Sequence, residues 1–155
     1  MTGLPTGMIG AFSAGNFTIS GTPTISGTFN YTVTTTGNSC TVATATGTIT
    51  VNPNLPASVS ITASPSGAIC AGTSVTFTAT PTNGGTTPTY QWQVNGTNVS
   101  GQTASTYTTT TLANNDSVRV IMTSNATPCL TGSPATSNAI VITVNPTLLA
   151  NVVVV

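Results

Sequence analysis

Charge is what this sequence lacks. Its 155 residues include no histidine, no lysine and no glutamate, and Asp116 and Arg119 are the only charged side chains. An ordinary globular domain is about a quarter charged. One arginine cannot neutralise a run of phosphates, which excludes nucleic acid as a partner, and anionic membrane surfaces fall to the same arithmetic. Also missing is any stretch near the ~20 apolar residues of a spanning helix, so no membrane insertion is expected. The longest uninterrupted aliphatic run is Val152 to Val155.

The same shortages exclude most chemistry. Acid–base catalysis requires a group that titrates near working pH, and Asp116 and three cysteines are the only candidates. A cysteine nucleophile requires an activating base, and no histidine or lysine supplies one. A single carboxylate cannot form a catalytic pair, and it is a poor start for a calcium site, which takes several. No glycine-rich phosphate loop with its lysine occurs. The chain is expected not to be an enzyme and to use no metal and no cofactor.

What fills the sequence instead is Thr, Ser, Gly, Asn, Val and Ala. Thr and Val are β-branched and suit strands, while Gly, Asn and Pro punctuate turns. The expected class is all-β. A chain with no net charge has little colloidal repulsion and tends to associate, which suits a fibre or a sugar-covered surface. Met1-Thr-Gly-Leu-Pro5 has neither the basic residues nor the apolar stretch of a signal peptide. If the protein is exported, its leader is expected outside this sequence. Three cysteines, Cys40, Cys70 and Cys129, are compatible with an oxidising compartment.

The sequence also repeats. Ile49-Thr-Val-Asn-Pro53 recurs as Ile142-Thr-Val-Asn-Pro146, an offset of 93, and Leu55, Ala57 and Val59 fall on Leu148, Ala150 and Val152 at that offset. Upstream, Phe29, Tyr31, Val33 and Cys40 match Val118, Val120, Met122 and Cys129 at an offset of 89. A repeat of about this length is the size of one immunoglobulin-like domain. The expected organisation is the C-terminal part of a repeat over 1–53, a complete repeat over 54–146, and the first strand of a third over 147–155. A half-domain has an open core and bare edges. Residues 1–53 are therefore expected either to belong to a longer array or to be completed by a neighbouring subunit.

Alternation of apolar and polar residues predicts strands at 57–62, 74–80, 89–94, 106–110, 117–124 and 139–144 in the complete repeat. It also predicts strands at 16–20, 28–35 and 43–51 in the fragment. Asn95-Gly96 is a strong hairpin signal. Trp92 and Phe77 are expected in the core, with Tyr31 and Tyr90 buried or half-buried. Arg119 alternates with inward Val118 and Val120, so it is expected outside, paired with Asp116.

The segments Val75-Thr-Phe-Thr-Ala79, Tyr90-Gln-Trp-Gln-Val-Asn-Gly96 and Leu112-Ala-Asn-Asn-Asp-Ser-Val-Arg-Val120 resemble strands B, C and F of immunoglobulin domains. Trp92 stands in the place of the core tryptophan; Ala79 and Met122 replace the usual intersheet disulfide. Ile69-Cys-Ala-Gly72, Asn83-Gly-Gly-Thr-Thr-Pro-Thr-Tyr-Gln-Trp92 and the closing Thr-Val-Asn-Pro resemble more closely the tandem repeats of giant cell-surface adhesins from gliding, Bacteroidetes-type bacteria. The resemblance implies tandem immunoglobulin-like β-sandwich repeats, the first and last incomplete, in a secreted protein of the bacterial cell surface. The implied role is a non-catalytic stalk or filament segment, with neighbouring repeats or subunits as partners. A module binding surface glycans is the alternative, and an ice-binding threonine face a further one.

The resemblance also implies modifications. Asp116-Ser117-Val118 resembles the short O-glycosylation signal of such exported proteins, making Ser117 a candidate site. Cysteines before strand B and after strand F recur together in these repeats, implying a Cys70–Cys129 disulfide. Closing a loop of about 60 residues would contribute roughly 4 kcal/mol. The geometry points the other way. In a simple immunoglobulin topology these positions lie at opposite ends, about 26 Å apart along an eight-residue strand, whereas a disulfide spans Cα atoms only ~4.4–6.8 Å apart. Bridges to a neighbouring repeat and free thiols stay open, and Cys40 would find its partner outside the chain.

Overall fold

The computed structural model describes residues 1–36 and 42–146. Among the described residues every regular element is a β-strand. The chain divides into two compact units, Met1–Pro53 and Asn54–Val155.

The first unit is two hairpins. Strands β1 (Met8–Ser13) and β2 (Asn16–Gly21) pair antiparallel, with Phe12 opposite Phe17. The Ala14-Gly15 loop joins them, both residues at positive φ (49° and 84°). That is the primed two-residue turn whose twist matches the flanking strands. Strands β3 (Gly27–Thr34) and β4 (Thr44–Val51) pair along their whole length. Period-two alternation sorts this second hairpin into two faces. Phe29, Tyr31, Val33, Ile49 and Val51 share one; Thr28, Asn30, Thr32, Thr34, Thr44, Thr46, Thr48 and Thr50 share the other. Thr2 bridges Thr32 with two backbone hydrogen bonds of 3.0 Å. Tyr31 lies over Gly47, its cross-strand partner, where a Cβ would stand 2.6 Å from the ring's Cζ.

The second unit begins with β5 (Leu55–Pro56), β6 (Ser58–Ser64), β7 (Ile69–Cys70) and β8 (Val75–Thr82). There follow β9 (Thr89–Val94), β10 (Thr97–Asn98), β11 (Thr106–Thr109) and β12 (Ser117–Thr123). The last strands are short: β13 (Leu130–Thr131), β14 (Ala135–Thr136), β15 (Ile140–Val141) and β16 (Val144–Asn145). One sheet has the order β11-β8-β6; the other runs β10-β9-β12, with β14 and β15 both pairing β12.

Both sheets contribute to one core. Val59, Ile61, Val75, Phe77 and Ala79 come from the first; Tyr90, Trp92, Val118, Val120 and Met122 come from the second. Phe77, Trp92 and Tyr107 form an aromatic cluster with ring centroids 5.8–6.1 Å apart. The indole N–H of the fully buried Trp92 donates to the Ala104 carbonyl at 2.9 Å, so the ring is buried without an orphaned donor. Asn95 and Gly96 take positive φ (52° and 80°) and turn β9 into β10.

Three of the structure's departures from the sequence expectation concern the longer strands and the cysteines. The strand expected over 139–144 is split into β15 and β16, because the chain leaves β12 after Val141 and joins β7 at Val144. Strand β1 was not foreseen, since its residues lack the Thr/Val alternation that marks the others. The third is the Cys70–Cys129 disulfide: both are free, exposed cysteines. Leu55 N–H donates to the Cys129 carbonyl, and β6 runs from Ser58 opposite Thr82 to Ser64 opposite Thr76. Cys129 thus sits near the Thr82 end of β8 and Cys70 just before its Val75 start. Seven steps of ~3.3 Å put roughly 23 Å between those ends, several times what a disulfide spans. Cys40 and the strand expected over 147–155 lie outside the described residues.

Candidate functional site

The two charged residues do not face each other. Asp116 Oδ1 accepts from Asn95 Nδ2 at 2.7 Å and Oδ2 accepts from the Ala113 N–H at 2.8 Å. Arg119 instead donates from Nε to Gln93 Oε1 at 2.7 Å, its cross-strand neighbour on the outer face of β9 and β12. The expected Asp116–Arg119 pair is replaced because strand alternation places Arg119 opposite Gln93, while Asp116 is held in the loop before β12. Among the described residues no group of three or more His, Cys, Asp or Glu could hold a metal ion. Among the same described residues no helix is long and apolar enough to cross a membrane, which says nothing of β-barrels.

Four asparagines tie down loops at the two ends of the second unit. At one end Asn95 Oδ1 accepts from the Ser117 N–H at 2.9 Å, and Asn114 Oδ1 accepts from the Val144 N–H at 3.0 Å. At the other, Asn83 Nδ2 donates to the Pro56 carbonyl at 2.9 Å, and Asn125 Oδ1 accepts from the Thr87 N–H at 3.0 Å. Gly85, at φ 82°, is pressed against Asn125 and Ala126 so closely that a Cβ would collide with both. Each asparagine supplies a loop with the backbone partner that a sheet would otherwise provide. Only Asn95 is legible in the sequence, as half of the Asn95-Gly96 turn signal; for the others, clustering around Gly and Pro was the available signal.

The chain also enters and leaves this unit through short parallel ladders. At the entering end, Leu55 N–H donates to the Cys129 carbonyl (3.0 Å) and Ala57 N–H to the Thr131 carbonyl (2.8 Å), pairing β5 with β13. At the leaving end, Ile69 N–H donates to the Thr143 carbonyl (2.9 Å) and Ala71 N–H to the Asn145 carbonyl (3.2 Å), pairing β7 with β16. The two ladders lie at the two ends of β8, so the chain is clamped where it arrives and clamped again where it departs.

Ser117 is half-buried at the start of β12, held through its backbone: its N–H reaches Asn95 Oδ1, and its carbonyl accepts from the Asn95 N–H at 2.8 Å. The first unit has an apolar groove. Met1, Phe12, Phe17, Val33 and the Thr34–Thr36 segment line a groove of about 380 Å³. Phe12 is 71% exposed and Ile9, on the opposite face of β1, 66%.

With that geometry in place, the sequence can be set against known protein families. A family model described as a domain of unknown function (DUF8696) covers residues 59–146, more than half of the chain. No curated protein matches the sequence.

Proposed function

The chain belongs to the DUF8696 family, and we propose that it serves as a non-catalytic, load-bearing repeat: an immunoglobulin-like β-sandwich segment in the stalk or filament of a long, secreted bacterial surface protein. The carrying observation is the pair of parallel ladders, β5–β13 and β7–β16, at opposite ends of the second unit. Tension applied at Asn54 and Pro146 runs along β5 and β16. The four clamp hydrogen bonds lie across that direction and are loaded together in shear, instead of opening one at a time. The Pro-containing junctions Asn52-Pro-Asn-Leu-Pro56 and Asn145-Pro146 restrict φ and stiffen the connections between units. The side chains support the same reading, since the sole Asp, the sole Arg and five asparagines (positions 83, 95, 114, 125 and 138) are spent on strands and turns. In this reading the repeats are extracellular, their partners are neighbouring repeats or subunits, and Ser117 is a candidate O-glycan site.

Ala71→Pro tests the load-bearing role. Ala71 is exposed and its N–H makes one clamp bond, so proline removes that donor without disturbing the core. Forced unfolding follows the unfolding rate. The variant should shorten the lifetime of the second unit under constant force by up to about tenfold, the equivalent of one hydrogen bond. An unchanged lifetime would show that the clamp carries no load.

One observation favours a second reading. Seven threonines and Asn30 share one face of β3–β4, all but Thr32 exposed, repeating about every 6.8 Å along each strand and 4.8 Å across. Such a face suits an ordered water lattice, and ice binding would appear as thermal hysteresis lost in Thr48→Lys. It ranks second because two-stranded ribbons twist strongly, which breaks the match over distance.

A further inference from the structure

We propose that the outer face of β9, β10 and β12 binds the carboxylate of an acidic sugar, at a site built on Arg119, Gln93 and Asn98. Three strands bring these side chains into one row. Asn98 pairs with Gln93 across β9 and β10, and Gln93 pairs with Arg119 across β9 and β12. Directly paired residues point to the same side of a sheet. Trp92, Val118 and Val120 fill the inner side, so the row lies outside. Hydrogen-bond chemistry then fixes which atoms turn outward. A guanidinium can only donate, and Arg119 Nε takes Gln93 Oε1 at 2.7 Å. Gln93 is left with its amide nitrogen, which donates to Asn98 Oδ1 at 2.7 Å. Every side-chain acceptor of the row is thereby used inside it. What remains free is N–H: among the described residues neither Nη of Arg119 nor Nδ2 of Asn98 meets an acceptor.

The row also carries a charge that its partners do not cancel. Arg119 is the only cationic side chain in the sequence, and Gln93, which holds it, is neutral. The only anionic side chain, Asp116, has both carboxylate oxygens engaged by Asn95 Nδ2 and the Ala113 N–H. Arg119 is half-buried and pinned at Nε, so its fork of Nη donors is held in place. The Asn95-Gly96 turn leaves room beside that fork. A Cβ built on Gly96 would meet only Arg119 Nη2 within 4 Å, at 3.9 Å. A fixed guanidinium fork matches a carboxylate, whose two oxygens accept parallel N–H bonds.

The surroundings of the row select the rest of the ligand. One arginine suits one negative charge and gains little from a polyanion. Gln91, Thr89 and Thr123 share the same outer face and are uncharged. Gln91 spends only its Nε2, on the Trp92 and Val99 carbonyls, which leaves Oε1 as an acceptor. Donors for a carboxylate beside an acceptor and hydroxyls suit a uronic-type sugar, whose ring hydroxyls both donate and accept. A peptide fits less well, because extended peptides add to sheet edges through their backbone, and this row lies on a face whose backbone groups are already paired. Phe77, Tyr90, Trp92 and Tyr107 are all buried, so no ring of this unit stacks on the sugar. Binding is accordingly weak, with Kd on the order of 1 mM. The site goes beyond the load-bearing reading and does not rest on it, since it is measured in solution without force.

Titration of the full nitrogen-15-labelled chain tests the site by NMR, with methyl glucuronoside, methyl glucoside and N-acetylglutamate as probes. The glucuronoside should shift the Arg119 Nε signal and the Gln93 and Asn98 side-chain amides together, and saturate. The glucoside, a like ring without the charge, should shift none of them. Binding should weaken as salt rises. Arg119→Gln and Asn98→Asp should each weaken it at least about tenfold, the equivalent of a hydrogen bond to a charged group. Asn98→Asp guards against a folding defect in the other variant, because it keeps the acceptor for Gln93 and changes only the outward NH2 into an oxygen. A glucuronoside that shifts nothing, a glucoside that shifts as much, or N-acetylglutamate that binds as tightly would each overturn the proposal, as would binding that survives Asn98→Asp.

Discussion

Val33 and Met122 occupy the same place in a repeated sequence, yet Met122 is wholly buried and Val33 borders an open groove. The strands that carry them are alike in pattern, and the Thr2–Thr32 bridge falls on the Gln91–Ile121 pair at the same offset of 89. The difference is what lies opposite. In the second unit β6, β8 and β11 form a sheet over β12; among the described residues of the first, no strand corresponding to β6 stands over β3, and the buried hydrophobic cluster draws on residues 57–142. Among the described residues, six of the seven large exposed hydrophobic residues, from Met1 to Val42, belong to the first unit. A strand's own sequence sets its faces and its pairing, but a core requires a second layer.

Substitutions sharpen that comparison. The largest effect is expected at Trp92, where Trp92→Ala empties the centre of the aromatic cluster and should cost about 3–5 kcal/mol in denaturant unfolding. Met122→Ala should cost roughly 2–5 kcal/mol, whereas Val33→Ala, already beside solvent, should cost no more than about 1 kcal/mol. Equal costs at the two positions would show that the first unit has a closed core after all.

Smaller effects probe the ends. Asn95→Ala removes two side-chain hydrogen bonds, to Asp116 and from the Ser117 N–H, and leaves a residue at positive φ without asparagine's tolerance for it. A loss of about 1–3 kcal/mol is expected by thermal unfolding, and none if the turn is held by its backbone alone. Arg119→Gln should have the smallest effect, about 1 kcal/mol or less. Because Arg119 bonds to neutral Gln93, that effect should not change with salt. A marked salt dependence would point to an ion pair with Asp116 instead.

The residues that could be read from sequence are those whose chemistry repeats locally. Val75, Phe77 and Ala79, or Val118, Val120 and Met122, announce a strand and its inward face by alternation, and Asn95-Gly96 announces its turn. Strands β5, β7, β13 and β16 have only two residues each, too few for any period, and exist because distant segments lie parallel beside them. The clamps that carry the proposed function were therefore invisible, as was the asparagine network whose partners are backbone groups up to 77 residues away. The disulfide shows the reverse. Cys70 and Cys129 suggested a bond by resemblance, and the length of β8 separates them.

The central claim is that the second unit resists tension as one closed body and the first does not. Pulling single molecules by their two termini measures this directly. The account predicts one dominant rupture that releases about 30 nm, the extended length of residues 54–146 less the folded span, while Met1–Pro53 extends at lower force without a comparable peak. A second unit that unravels in small steps from its ends, or a first unit that ruptures at equal force, would contradict it.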